Sequence, residues 1–157
     1  MNLFDCGNKL PVQQLDNFEK KIRQKLPADY RNFMIEHNGG TPSEDLVFDY
    51  IDVVVEQENT TDIREFYIFY DSETNNYDDI VYIYKTMTND KIIPPEMLPI
   101  GDDSLGNPFG ILLSKGNDYG KIYLMNHEIE NSETGYLAMS KVADSFADFI
   151  TKIYIDI

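Results

Sequence analysis

Apolar residues recur along the chain with two different periods. Leu15, Phe18, Ile22 and Leu26 return at steps of three and four, the spacing that puts side chains on one face of a helix. Pro11 suits the first turn of that helix, where a missing N–H costs no hydrogen bond. The pattern predicts a second helix opening near Pro27, with Tyr30, Phe33, Met34 and His37 on one face. Asn38-Gly39-Gly40 should stop it, because these residues accept the positive φ of a helix C-cap. Ser145 reads as the N-cap of a late helix that turns Phe146, Phe149, Ile150 and Ile153 to one side. A shorter helix is predicted from about Tyr77 to Met87, with Ile80, Ile83, Tyr84 and Met87 facing inward.

Between these helices the residue types change. Leu46–Val55, Ile63–Tyr70, Phe109–Leu113 and Lys121–Met125 are rich in β-branched and aromatic residues and read as strands. Lys115–Gly120 reads as the hairpin loop joining the last two. With no repeat, low-complexity tract or linker, residues 1–157 are expected to form one domain. The fold class is α+β: an antiparallel sheet of about five or six strands, flanked by N-terminal helices, a short inserted helix and a C-terminal helix.

Composition narrows the function. Thirteen Lys and Arg stand against 28 Asp and Glu, for a net charge of −15. Phosphate contacts need cations, so direct binding of nucleic acid is not expected, and an anionic membrane surface would repel the chain. The charge is concentrated: residues 41–84 hold twelve acids and a single base, Arg64. These acids are interleaved with Phe48, Tyr50, Phe66, Tyr67, Phe69, Tyr70 and Tyr77, a mixture suited either to solvation or to meeting a basic partner. A single cysteine, no signal-peptide pattern and no membrane-length apolar run make a cytoplasmic location the expectation.

Candidate chemistry is sparse. His37 lies on the apolar face of the second helix and reads as a hydrogen-bonded, half-buried side chain. His127-Glu128 begins a zincin pattern, but Asn131 stands where the second metal ligand belongs. Cys6 lacks the cationic surroundings that make a reactive thiolate, Lys9 apart. Gly101–Asn107 has the glycine spacing of a phosphate loop, yet Asn107 and Pro108 replace its Lys and Ser/Thr, and two carboxylates sit inside it. It reads as a tight turn held by Asp and Asn side chains. Catalytic residues, metal ligands and cofactors are accordingly assigned as none.

Four blocks together resemble one family. They are Phe18-Glu19 with Leu26–Met34 and Asn38–Pro42; Leu98–Asp102 with Gly106-Asn107; Gly120–Tyr123 through His127-Glu128; and Val142–Phe146 with Phe149-Ile150. In this order they resemble the SUKH superfamily, which joins fungal cell-wall assembly regulators to bacterial toxin-immunity proteins. The chain departs from it in having no Trp and in matching only loosely between Pro42 and Asp90. The resemblance implies a non-enzymatic domain that binds proteins, and in bacteria an immunity protein that neutralises a toxin, often a nuclease.

The expected partner is therefore a basic protein toxin of nuclease type, bound by a monomer. The expected contact residues are the acids Asp45, Asp49, Asp52, Glu56, Asp71, Glu73, Asp78 and Asp79, with Tyr70 and Tyr77 as anchors. A scaffold or regulatory domain for an endogenous partner is the alternative, and a small-molecule or peptide module a third. Gly39, Gly40, Gly101 and Gly106 are read as backbone positions, and Tyr30, Phe33, Phe146 and Phe149 as core.

Overall fold

A computed structural model describes residues Met1–Ile157. In chain order the elements are β1 (Leu3–Phe4), α1 (Val12–Ile22), α2 (Ala28–His37), β2 (Thr41–Pro42), β3 (Leu46–Ile51), β4 (Glu58–Asp62) and β5 (Glu65–Phe66). They continue with α3 (Ile80–Asn89), β6 (Met97–Asp102), β7 (Pro108–Leu112), β8 (Ile122–Glu130), β9 (Leu137–Ala143), α4 (Phe146–Lys152) and β10 (Tyr154–Ile155). The fold is α+β with antiparallel sheets, as the periodicity predicts. Its main sheet runs β5-β6-β7-β8-β9, a second runs β10-β3-β4, and β1 pairs with β2.

The helices follow their local signals. Pro11 and Pro27 occupy the N-cap positions of α1 and α2, and Asn38 ends α2 in the left-handed region, its amide donating to the Met34 carbonyl. Asn38 is itself buried and does more than stop the helix. Its side chain donates to the Asn8 and Phe69 carbonyls and accepts from the Phe69 amide, tying α2 to two distant segments. Gly39 follows at φ +72°, and a Cβ there would lie 2.4 Å from the Tyr67 carbonyl oxygen, so both the dihedral and the space demand glycine. Ser145 caps α4 as expected, accepting from the Asp148 amide. The α1 pattern ends earlier than Leu26: Arg23 turns left-handed, and Leu26 is buried from the connecting loop instead.

Several strand boundaries differ from the sequence reading. Leu46–Val55 does not continue as one strand, because β3 ends at Ile51 and Val53–Val55 form a turn. Ile63–Tyr70 contributes only the two residues of β5 to a ladder, plus isolated bridges from Phe66 to Gly40 and from Ile68 to Asp79. Phe66, Tyr67, Ile68 and Phe69 are all buried, so this segment lacks the alternation of a half-exposed strand. Its amides find mixed partners: Tyr67 donates to the Ile100 carbonyl and Phe69 to the Asn38 side chain. The inserted helix opens at Ile80 rather than Tyr77, since Asp79 caps it by accepting from the Val81 and Tyr82 amides. Within Gly101–Asn107, the first two residues belong to β6. The turn proper is held by the buried Asp103 carboxylate, which accepts from the Leu105 and Asn107 amides, the Asn107 side chain and the Thr61 hydroxyl.

The core lies between the sheets and helices α1, α2, α3 and α4, and it is aromatic. Phe33 packs 4.9 Å from Phe146 and 5.0 Å from Phe66, and Phe48 packs 5.1 Å from Phe149, between ring centroids. Tyr30, Phe33, Phe146 and Phe149 are buried as expected.

Candidate protein-binding surface

The acidic segment 41–84 divides into two limbs. The first is the β3–β4 hairpin, whose strands pair from Val47 with Asp62 to Ile51 with Glu58. Alternation along β3 turns Leu46 and Phe48 into the core and Asp49 and Ile51 outward. Asp49 accepts from the Thr60 hydroxyl at 2.6 Å and the Tyr154 hydroxyl at 2.8 Å, and these bonds hold its carboxyl below the usual range. Asp45 is exposed, and its carbonyl accepts from the Asp156 amide as β10 joins the sheet.

The hairpin turn is ordered by its own residues. The Asp52 carboxylate accepts from the Val54 and Val55 amides at 2.7 and 3.1 Å, and the Glu56 amide donates to the Asp52 carbonyl. Glu56 sits at φ +54°, where a β-carbon is strained and Gly or Asn would be relaxed. A long-range bond fixes the turn to the body: the Val53 amide donates to the Ser140 hydroxyl on β9 at 2.9 Å. The result is a rigid tip that exposes Ile51, Val53, Val54 and Val55.

The second limb is the loop between β5 and α3. The Tyr70 hydroxyl donates to the Asp78 carboxylate at 2.9 Å, Asp71 accepts from the Asn8 side chain, and Glu73 meets Lys85 at 3.3 Å. Tyr77 is 83% exposed, whereas Tyr70 is half-buried. Asp79 lies beneath this surface as the buried cap of α3, accepting from Thr74 as well, so it orders the limb from below. No hydrogen bond or ion pair joins the four predicted residues of the first limb to the six of the second.

The electrostatics of the segment follow from one residue. Arg64, its only base, forms two bonds to Asp102 and one to Glu65 at 2.7 Å. Burial pushes the Asp102 carboxyl up, against the pull of Arg64 and the Tyr67 hydroxyl, and the guanidinium is held more firmly protonated in return. The lone cation is thus consumed by a half-buried network. Of the twelve acids in 41–84, only Glu65 and Glu73 meet a cation within 4.0 Å. The others remain uncompensated.

The remaining candidates do not assemble a reactive centre. His37 lies against Phe33 at 5.1 Å with Glu36 at 3.6 Å, His127 shares a bond with Asn107 at 2.7 Å, and Cys6 is exposed elsewhere. Burial and the neighbouring Asp5 raise the Cys6 thiol, the direction opposite to nucleophile activation. No group of three or more His, Cys, Asp and Glu has metal-holding geometry. No helix is long and apolar enough to cross a membrane.

Several hollows have the size of ligand sites, among them two lined by lysines. One, of about 650 Å³, is lined by Lys20, Arg23, Lys25, Lys115 and Tyr119. Lys20 lies in the last turn of α1 and Arg23 and Lys25 follow it, where positive charge offsets the helix dipole. The other, of about 440 Å³, lies beside the hairpin and is lined by Asp49, Ile51, Glu58, Lys141, Lys152 and Tyr154. Its two lysines are engaged by Asp144 and Asp148.

The sequence reading found the acids and missed the valines, because a β-branched run reads as strand and nothing local marks it as turned outward. Asp52 followed by two further residues whose amides it can accept is the one local signal of a turn. No curated protein matches the chain in sequence. A model of the SMI1/KNR4 family (SUKH-1) matches residues 9–152, which spans both limbs and every block of the resemblance. On that match the chain belongs to the SMI1/KNR4 family (SUKH-1).

Proposed function

We propose that this chain is a cytoplasmic immunity protein that binds and neutralises a bacterial protein toxin of nuclease type, without catalysis of its own. The family is one of immunity-protein and cell-wall-regulator-like domains, which supports a protein partner. The observation that carries the reading is the uncompensated charge: ten of the twelve acids in 41–84 meet no cation within 4.0 Å, and Arg64 is withdrawn by Asp102 and Glu65. A nuclease presents a basic face to phosphate, and an acidic surface of this kind both occupies that face and is steered to it. Asp45, Asp49, Asp52 and Glu56 form one limb of the contact. Asp71, Glu73, Asp78, Tyr70 and Tyr77 form the other, with Asp79 ordering the loop below them.

The test is association kinetics with the toxin encoded beside this chain. Charge steering predicts an on-rate that falls steeply with salt. Reversing Asp45, Asp49, Glu56 and Asp71 to Lys should lower that rate by about tenfold or more at low salt. An on-rate and salt dependence unchanged by the four reversals would remove these residues from the contact. A one-to-one complex with a housekeeping protein in place of the toxin would assign the chain to the regulatory alternative.

A further inference from the structure

The β3–β4 tip is unusual in a way that charge does not explain. Ile51 is 66% exposed, Val53 54%, Val54 49% and Val55 56%, four aliphatic side chains in five consecutive positions. Scattered surface aliphatics need no account, but a cluster presenting a few hundred Å² is the kind of patch that marks an interaction site. The fold does not need it. A turn capped by Asp52 would form with polar residues at 53–55, and exposed β-branched residues add nothing to its hydrogen bonding.

Around the tip stand Asp49, Asp52, Glu56 and Glu58, none of which meets a Lys or Arg within 4.0 Å. An apolar centre inside a polar, charged rim is the anatomy of a protein–protein contact. The sign of the rim selects the occupant. A second copy docking tip to tip would set carboxylates against carboxylates, which disfavours self-association. The tip is also rigid before binding, since the Ser140 hydroxyl and the Asp52 carboxylate hold all three valine amides, so little ordering is left to be lost on contact.

We infer that Ile51, Val53, Val54 and Val55 are the anchor of the partner contact, seated in an apolar depression that basic residues surround on the partner. This rests on the toxin-binding reading and deepens it. The acids govern how fast the complex forms, while the aliphatic tip governs how long it lasts. The tip adds an aliphatic anchor to the contact beside Tyr70 and Tyr77.

The experiment compares three forms of the full chain against the toxin encoded beside it: wild type, V53S/V54S/V55S, and E56Q/E58Q. The serine triple keeps every charge and every turn hydrogen bond, and circular dichroism and thermal melting check that it folds. Its dissociation should be about 100-fold faster, with the salt dependence of association unchanged. The glutamine pair should flatten the salt dependence and leave dissociation within about threefold. A serine triple that dissociates like wild type, beside a glutamine pair that loses salt dependence, overturns the anchor and leaves the toxin reading standing. A wild-type chain that does not bind the toxin overturns both. Wild-type self-association in sedimentation, abolished by the triple, gives the tip to a second copy and also overturns the inference.

Discussion

Replacing Tyr30 by Phe should make this protein more stable, although Tyr30 is among the most deeply buried residues of the core. Its ring packs 5.3 Å from Phe146 and 6.4 Å from Phe33, and phenylalanine keeps both contacts. The hydroxyl, by contrast, has no hydrogen-bond partner, and burial alone pushes its pKa far above the ordinary phenol range. A buried polar group left unpaired costs about 1–3 kcal/mol of desolvation, and removing it recovers that cost less a small loss of packing. We expect a net gain of about 1 kcal/mol, which in a chain of this length raises Tm by about 2–4 °C. Urea unfolding provides the assay, with the midpoint moving up and the slope m unchanged. A midpoint that falls at constant m would mean that the hydroxyl is satisfied in solution, and the reasoning from its isolation would fail. Tyr30→Phe leaves both acidic limbs untouched, so binding of the proposed partner should be unaffected.

Arg64→Ala should destabilise by on the order of 2 kcal/mol at neutral pH, because it strands the Asp102 carboxylate in a site where its side chain is almost wholly covered. Losing the cation raises the Asp102 pKa further, so the penalty is full where Asp102 is ionised and shrinks as acid protonates it. Urea midpoints of both forms across pH 4–8 check this, and a penalty that does not vary with pH would place the effect elsewhere. Ser140→Ala removes the acceptor of the Val53 amide, and hydrogen exchange at Val53–Val55 should quicken with a stability loss of about 1 kcal/mol or less. Unchanged exchange there would show that the tip is held without its tether to β9.

What could be read locally was read from residues within a turn or two of one another. Leu15 and Phe18, Tyr30 and Phe33, and Phe146 and Phe149 declare their helices because both members of each pair belong to one element, and Asn38 and Ser145 end or begin theirs by bonding nearby backbone. α3 opens three residues after Tyr77, which resembles a helical apolar position, because the cap is Asp79. Strands were less legible wherever their sequence lacked alternation. β4 is Glu-Asn-Thr-Thr-Asp, polar throughout, and is a strand because β3 offers it an edge. β6 carries Pro99 and Gly101, disfavoured in strands, yet every residue is buried between β5 and β7. β9 is built partly of Ala138, Ser140 and Ala143, which signal nothing by themselves.

The candidate surface divides in the same way. Counting charges along the chain was enough to locate the acidic excess and the single base within it. Whether that base neutralised its surroundings depended on Asp102, 38 positions away, and the outward valines depended on Ser140, 87 positions from Val53. Periodicity, caps and net charge are properties of neighbouring residues, so the sequence alone determined the helices, the class of fold and the sign of the surface. Ion-pair partners and strand edges come from segments brought together only when the chain closes, so tertiary structure decided which acids stay free and which apolar residues face outward.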